Sequence, residues 1–199
     1  SQSMADMETN LDVQMVAGIV PKAKIVLYYA SSFQDGFQMI LDDQENTVNV
    51  ITTSWAIGEM YLSLIEKQQL KERAQQLNER NITILASSGD LGMYQAGANP
   101  GEESVVGINL PAGLEYVTAC GGTTLFKDGT ETVWTNVWEG NTYCSGGSFS
   151  DKTAAPEYQL KALEQYAKHN ANAPVDKIAT PDIAANASRT HYSTFIFNG

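Results

Sequence analysis

The chain has 199 residues, 43% of them hydrophobic and 18% charged, the make-up of one folded domain with a sizeable core rather than of a disordered segment. Its 23 acidic side chains outweigh 12 basic ones, and the net charge of -11 argues against nucleic acid and against an anionic membrane surface as partners. No apolar run approaches the roughly 20 residues of a membrane span.

Taken in chain order, the first half alternates between helical and extended patterns. Residues 8–18 place Leu11, Met15 and Gly18 at helical spacing, with Val16 beside them, and Pro21 closes the segment. KIVLYYA, residues 24–30, is rich in β-branched and aromatic side chains and predicts a buried strand. Phe37, Ile40 and Leu41 mark a short helix that ends in the polar stretch DDQEN. VNVITTSW, residues 48–55, predicts a second strand, and residues 59–79 a long amphipathic helix with Leu62, Ile65, Leu70 and Leu77 on its apolar side. NITILASSGD, residues 81–90, reads as a third strand running into a turn.

Strands separated by helices of this length predict right-handed crossovers and a parallel sheet covered by helices on both faces. In such sheets the chemistry lies beyond the carboxyl ends of the strands. The positions that matter are then Ser31 and Ser32, Trp55, and Ser87 to Gly92. After residue 92 the pattern loosens into a loop-rich stretch. YVTACGGTTLF, residues 116–126, predicts strand, Gly-Gly turn, strand. TVWTNVWEG leads into the Ser/Gly tract CSGGSFS, residues 155–170 read as a helix, and residues 171–181 as a Pro-containing loop.

Candidate chemistry is sparse. Glu8 and Asp12 stand four positions apart, on one face of the first helix. Two carboxyls held that close and partly buried cannot both ionise cheaply, so one keeps its proton to higher pH and can serve as general acid and base. Acidic residues also gather in first turns because the helix dipole favours them, and either origin accounts for the pair. SSGDLG, residues 87–92, presents Asp90 at the end of a strand, as a cleft carboxyl or as a turn residue bonding its own backbone. Gly121–Gly122 and the SGGS tract at 145–148 are turns or backbone walls for an extended peptide, and neither fits a nucleotide-binding motif. His169 and His191 sit beside no G-x-S-x-G elbow, so a Ser-His-Asp triad is not indicated. Cys120 and Cys144 form no C-x-x-C pair, which speaks against zinc and leaves their pairing open.

Placed in order, these stretches resemble the sedolisins, the serine-carboxyl peptidases that share the subtilisin fold. ETNLDVQMVAGIVPKAKIVLYYA (8–30) is similar to that family's E-x-x-L-D helix and following strand. VITTSW (50–55) is similar to its strand ending in S-x-S-W, and TILASSGDLG (83–92) to its A-S-G-D-x-G turn. LPAGLEYVTACGGTTL (110–125), SGGSFS (145–150) and TPDIAANA (180–187) follow in the family's order. The resemblance implies a subtilisin-like α/β fold, incomplete here, with residues 1–199 as part of one peptidase domain. It implies Glu8 as the base toward a nucleophilic serine, Asp12 as its relay, and Asp90 as a protonated oxyanion donor. Trp55, Ser145, Gly146 and Gly147 would flank a peptide or protein substrate.

The family's nucleophile motif and calcium loop fall after the strand-like stretch HYSTFIFNG. The expectation is therefore a serine and a calcium site beyond Gly199, no metal within this segment, and little activity from these residues alone. The remaining chain, or self-association, is the expected cover for open sheet surface, and the family's acid chemistry implies a secreted or lysosome-like setting. Leu91 stands where Ser is usual, and LEYV lacks the family's Pro. A non-catalytic sedolisin-like module for peptide binding or assembly is the competing expectation. A glycosidase is disfavoured because Glu8 and Asp12 lie on one side rather than flanking a bond.

Overall fold

The computed structural model describes residues 3–97 and 104–188. The first helix, α1 (Met4–Ile19), begins ahead of the predicted residue 8, because Ser3 and Asp6 form a capping box. Asp6 N donates to Ser3 Oγ at 3.2 Å and Ser3 N to Asp6 Oδ2 at 2.9 Å, which satisfies two amides that the helix itself cannot. Glu8 and Asp12 lie in its middle turns rather than its first, so capping does not explain them. Leu11, Met15 and Val16 are only half-buried, so α1 lies beside the core rather than inside it.

The predicted strand at 24–30 is a correction. The segment belongs to no ladder, yet its burial alternates as in a strand, with Val26 and Tyr28 turned inward and Ile25, Leu27 and Tyr29 exposed. Side chains hold it: Tyr28 Oη donates to Asp43 Oδ2 at 2.5 Å and Lys24 Nζ to Asn46 Oδ1 at 2.5 Å. Intrinsic β preference was read correctly, but pairing needs a neighbour, and no strand of the described residues lies alongside.

Helix α2 (Phe33–Asp42) is capped by Ser32, and Phe37, Ile40 and Leu41 point inward. Strand β1 (Val50–Thr53) and the short β2 (Ile57–Gly58) precede α3 (Leu64–Glu79). The helix predicted from residue 59 is in fact two pieces. A single 3-10 turn spans Glu59–Tyr61, and α3 then starts afresh at a capping box formed by Ser63 and Glu66. Strands β3 (Thr83–Ser87), β4 (Asn109–Leu110) and β5 (Thr118–Leu125) follow.

Strand β5 overturns the predicted Gly-Gly turn, since Gly121 and Gly122 lie within one continuous strand. They are glycines because other chain segments occupy the space of a side chain. A Cβ on Gly121 would come within 2.6 Å of Pro181 Cγ, and one on Gly122 within 2.9 Å of Ala187 Cβ. The β6 (Glu131–Val133) strand leads to a hairpin of β7 (Thr135–Trp138) and β8 (Asn141–Cys144), and β9 (Ser148–Ala154) precedes α4 (Glu157–Ala167). The predicted loop at 171–181 contains β10 (Lys177–Thr180), paired antiparallel with β9, and β11 (Ile183–Asn186) closes the described chain.

The main sheet runs β1-β3-β5-β11, all parallel, with β6 antiparallel beside β5. Thr53 pairs with Ala86, so β1 and β3 end within one residue of each other, whereas β5, whose Cys120 faces Ser87, runs on to Leu125. One core fills the space between this sheet and α2 and α3, built from Phe37, Ile51, Leu70, Leu77, Ile84 and Ala119 among others. Cys120 and Cys144 are free thiols.

Leu77 is fully buried in that core. Replacing it with Ala should lower the unfolding free energy by about 2–5 kcal/mol, read from urea denaturation, because the vacated space cannot collapse fully.

Candidate active site

The carboxyl ends of β1 and β3 lie side by side, and α1 approaches them from across the edge. Ser54, the first residue after β1, donates from its hydroxyl to Asp12 Oδ1 at 2.6 Å. Ser87, the last residue of β3, donates to the Ser54 carbonyl at 3.0 Å. These two bonds tie helix, first strand and second strand together at one point, although Asp12 and Ser54 are 42 positions apart in sequence.

Glu8 and Asp12 are half-buried on the face of α1 turned toward that point. Burial pushes the Glu8 carboxyl above its ordinary 4.5, and the negative charges of Asp12 and Asp90 push it further, while the Ser54 hydroxyl works in the opposite direction. Asp12 is also raised by burial, again opposed by Ser54. That Asp90 is felt at Glu8 is the important relation, since the two residues are on different elements and far apart in sequence. Asp90 is raised by burial too, and hydrogen bonding to its own backbone opposes the rise. Asp90 is nonetheless exposed to solvent, which limits that push.

The turn that carries Asp90 is held from several directions. Ser88 Oγ donates to the Gly146 carbonyl at 2.7 Å, Gly146 N to the Gly89 carbonyl at 2.7 Å, and Cys144 N to the Asp90 carbonyl at 2.8 Å. Asn109, nearly fully buried, donates from Nδ2 to the Ser88 carbonyl at 2.9 Å and accepts from Ala96 N at 2.7 Å. Gly89 has a φ of +110°, a region side chains disfavour. At Gly146 a Cβ would lie 2.2 Å from the Ser88 carbonyl oxygen, so a residue without a side chain is needed for the approach. The SGG tract is thus packed directly against the Asp90 turn, with Gly147 N donating to the Gly92 carbonyl at 2.9 Å. Ser145 Oγ accepts from Gly122 N at 2.9 Å, joining the same tract to β5.

Trp55 is half exposed, at 51%, directly after Ser54. His169 is exposed past the end of α4, and His191 lies outside the described residues, as does the stretch from 189 onward. Among the described residues no group of three His, Cys, Asp or Glu side chains is arranged to hold a metal ion, and no helix is long and apolar enough to cross a membrane. Ser87 and Ser88 fall in the strand-end stretch 87–92 flagged from sequence, whereas Ser54 and Asn109 were not singled out. The one available signal for Ser54 was its place where a strand of a parallel sheet ends.

No family model matches the chain. A solved structure of Pseudomonas sedolisin, a serine-carboxyl proteinase complexed with two molecules of pseudo-iodotyrostatin, superposes with a TM-score of 0.73 at 24% identity, over 94% of this chain and 53% of that one. The chain therefore shares the fold of that structure. Sequence agrees: kumamolisin of Bacillus sp. (strain MN-32) is 27% identical over 191 residues, covering 92% of this chain and 33% of the relative. Tripeptidyl-peptidase SED2 of Arthroderma otae is 28% identical over 211 residues, covering 91% and 33%. The chain is thus similar in sequence to these peptidases and in fold to the sedolisin structure, and it spans about a third of the length of these curated relatives.

Folding raises Glu8 from 4.5 and both Asp12 and Asp90 from 3.8. Just above those values the folded chain therefore holds more protons than the unfolded one. The stability associated with these groups is full below their ordinary values and is lost as pH rises through the raised ones. A Glu8→Gln, Asp12→Asn variant should lose less stability than the wild type between about pH 4 and pH 7, measured as melting temperature against pH. Separately, Gly146→Ala should cost about 1–3 kcal/mol and shift the carboxyl resonance of Asp90, because the added methyl forces the two segments apart.

Proposed function

We propose that these residues form part of the catalytic domain of a serine-carboxyl peptidase that hydrolyses peptide bonds in acid. The single observation that supports this reading most is the bond of Ser54, directly after β1, to Asp12 at 2.6 Å on the helix that also carries Glu8, with Asp90 on the turn after the adjacent β3 near enough for its charge to act on Glu8. In this reading a serine beyond residue 199 of a longer polypeptide attacks the substrate carbonyl. Glu8 takes the proton from that serine, and Asp12 supports Glu8 through the shared electrostatic environment. A carboxylate base stays available in acid where an imidazole is already protonated. Asp90, in its protonated form, donates a hydrogen bond to the oxygen that gains negative charge, a contribution of about 3 kcal/mol to the barrier where similar donors have been removed.

Trp55 offers an exposed indole beside the acid cluster, suited to the apolar part of a peptide, and residues Ser145, Gly146 and Gly147 run past the Asp90 turn as the opposite wall. The substrate is a peptide or protein. A calcium site, if the longer polypeptide has one, belongs to that remaining portion, as does the cover for the exposed face of residues 24–30. A secreted or lysosome-like acidic setting fits the low working pH.

The test is hydrolysis of a fluorogenic peptide by the longer polypeptide across the pH range. The expected rate maximum is below pH 6, with Asp90→Ala lowering kcat roughly 100- to 1,000-fold and Glu8→Ala lowering it by roughly 10,000-fold or more. Full activity in both variants would sink the peptidase reading, and tight peptide binding without cleavage by the wild type would favour the binding module.

A further inference from the structure

The Ser54 hydroxyl is the group that connects α1 to the sheet at the acid cluster. Its 2.6 Å bond to Asp12 Oδ1 is short for a hydroxyl donor, as expected when the acceptor is ionised. Its backbone is in turn fixed by Ser87 Oγ at 3.0 Å, so the hydroxyl has a set position relative to β3 and the Asp90 turn that follows it. The same hydroxyl acts on Glu8 in the downward direction, against the push of burial. Its one proton goes to Asp12, and Glu8 lies one helical turn away from that bond.

We propose that Ser54 is a positioning residue for the Glu8–Asp12 pair, holding Asp12, and with it the helix turn that carries Glu8, against the end of β1. This deepens the peptidase reading and rests on it. The groups that face the pair are Asp12 and Glu8 themselves, on α1, and Asp90 from the turn after β3. All three are acidic, and burial adds to their mutual repulsion, so everything else near the pair favours protonation. The Ser54 hydroxyl is the donor that opposes this. A base that must be ionised to accept a proton gains working range toward acid from such a donor. Ser87 contributes by fixing the backbone from which the donor projects.

Two measurements test the assignment. In the 199-residue chain, carbon-13 carboxyl shifts of Glu8, Asp12 and Asp90 are followed against pH in the wild type, Ser54→Ala and Ser54→Thr. Ser54→Ala is expected to move the Asp12 and Glu8 midpoints upward, Ser54→Thr to restore them, and Asp90 to stay where it is. Unmoved Glu8 and Asp12 midpoints in a folded Ser54→Ala chain would overturn the proposal. If that variant does not fold, Ser54→Cys carries the same comparison, being close in volume and a weak donor. In the longer polypeptide, Ser54→Ala should move the acid limb of the kcat/KM profile to higher pH and Ser54→Thr should return it, and an unmoved limb counts against the proposal. A wild-type polypeptide that cleaves no peptide overturns the peptidase reading itself, and this is apparent before any Ser54 variant is made.

Discussion

The parallel pairing of β1 with β3 is the constraint on which the site depends. With Thr53 opposite Ala86, the two strands finish at the same height, and Ser54 and Ser87 emerge next to each other. A one-residue slip would turn every inward side chain of β1 outward and separate these two serines, so the buried face of the sheet and the geometry of the site are specified by the same register. The core side chains Ile51, Ile84 and Ala86 hold that register by packing beneath α2 and α3.

A second constraint comes from the acids themselves. A carboxyl that is partly withdrawn from water and surrounded by like charge costs stability once it ionises. Burial raises Glu8, Asp12 and Asp90, and the charges of Asp12 and Asp90 raise Glu8 further, whereas certain carboxyls elsewhere are lowered by neighbouring donors. Asp6, at the cap of α1, is held below its ordinary value by Ser3, and Asp128 by Thr130. The contrast separates structural acids, which fold with their donors, from a cluster whose arrangement works against its own charge. Acids raised by burial and by one another's charge are found at functional sites as well as in structural networks.

The Asp90 turn shows how the remaining fold serves that cluster. The hairpin of β7 and β8 delivers Cys144 and the SGG tract to the turn, and the backbone bonds between them fix Asp90 without engaging its carboxyl as a cap. Asn109, buried after a long loop, braces the opposite side. Segments distant in sequence thus converge on a single turn, and their glycines are the residues that permit the approach.

Much of this was legible in the sequence. Hydrophobic periodicity located α2, the body of α3 and strands β1 and β3, because one buried face per element leaves a direct imprint on residue order. The spacing of Glu8 and Asp12 placed them on one helix face, and a strand-end position marked Asp90. Three features were not legible. Residues 24–30 carry strand chemistry without a ladder, because pairing depends on a neighbour and not on the segment. Gly121 and Gly122 read as a turn but lie in a strand, because the reason for them is the crowding of Pro181 and Ala187 from distant parts of the chain. Ser54 looked ordinary, because a hydroxyl's role is set by what it faces. The sequence by itself determined the periodic elements and the carboxyl pair, whose causes are local. Only the tertiary structure decided which serine binds Asp12 and that the Asp90 turn follows the neighbouring strand, because those relations are made by strand register and by contacts across dozens of residues.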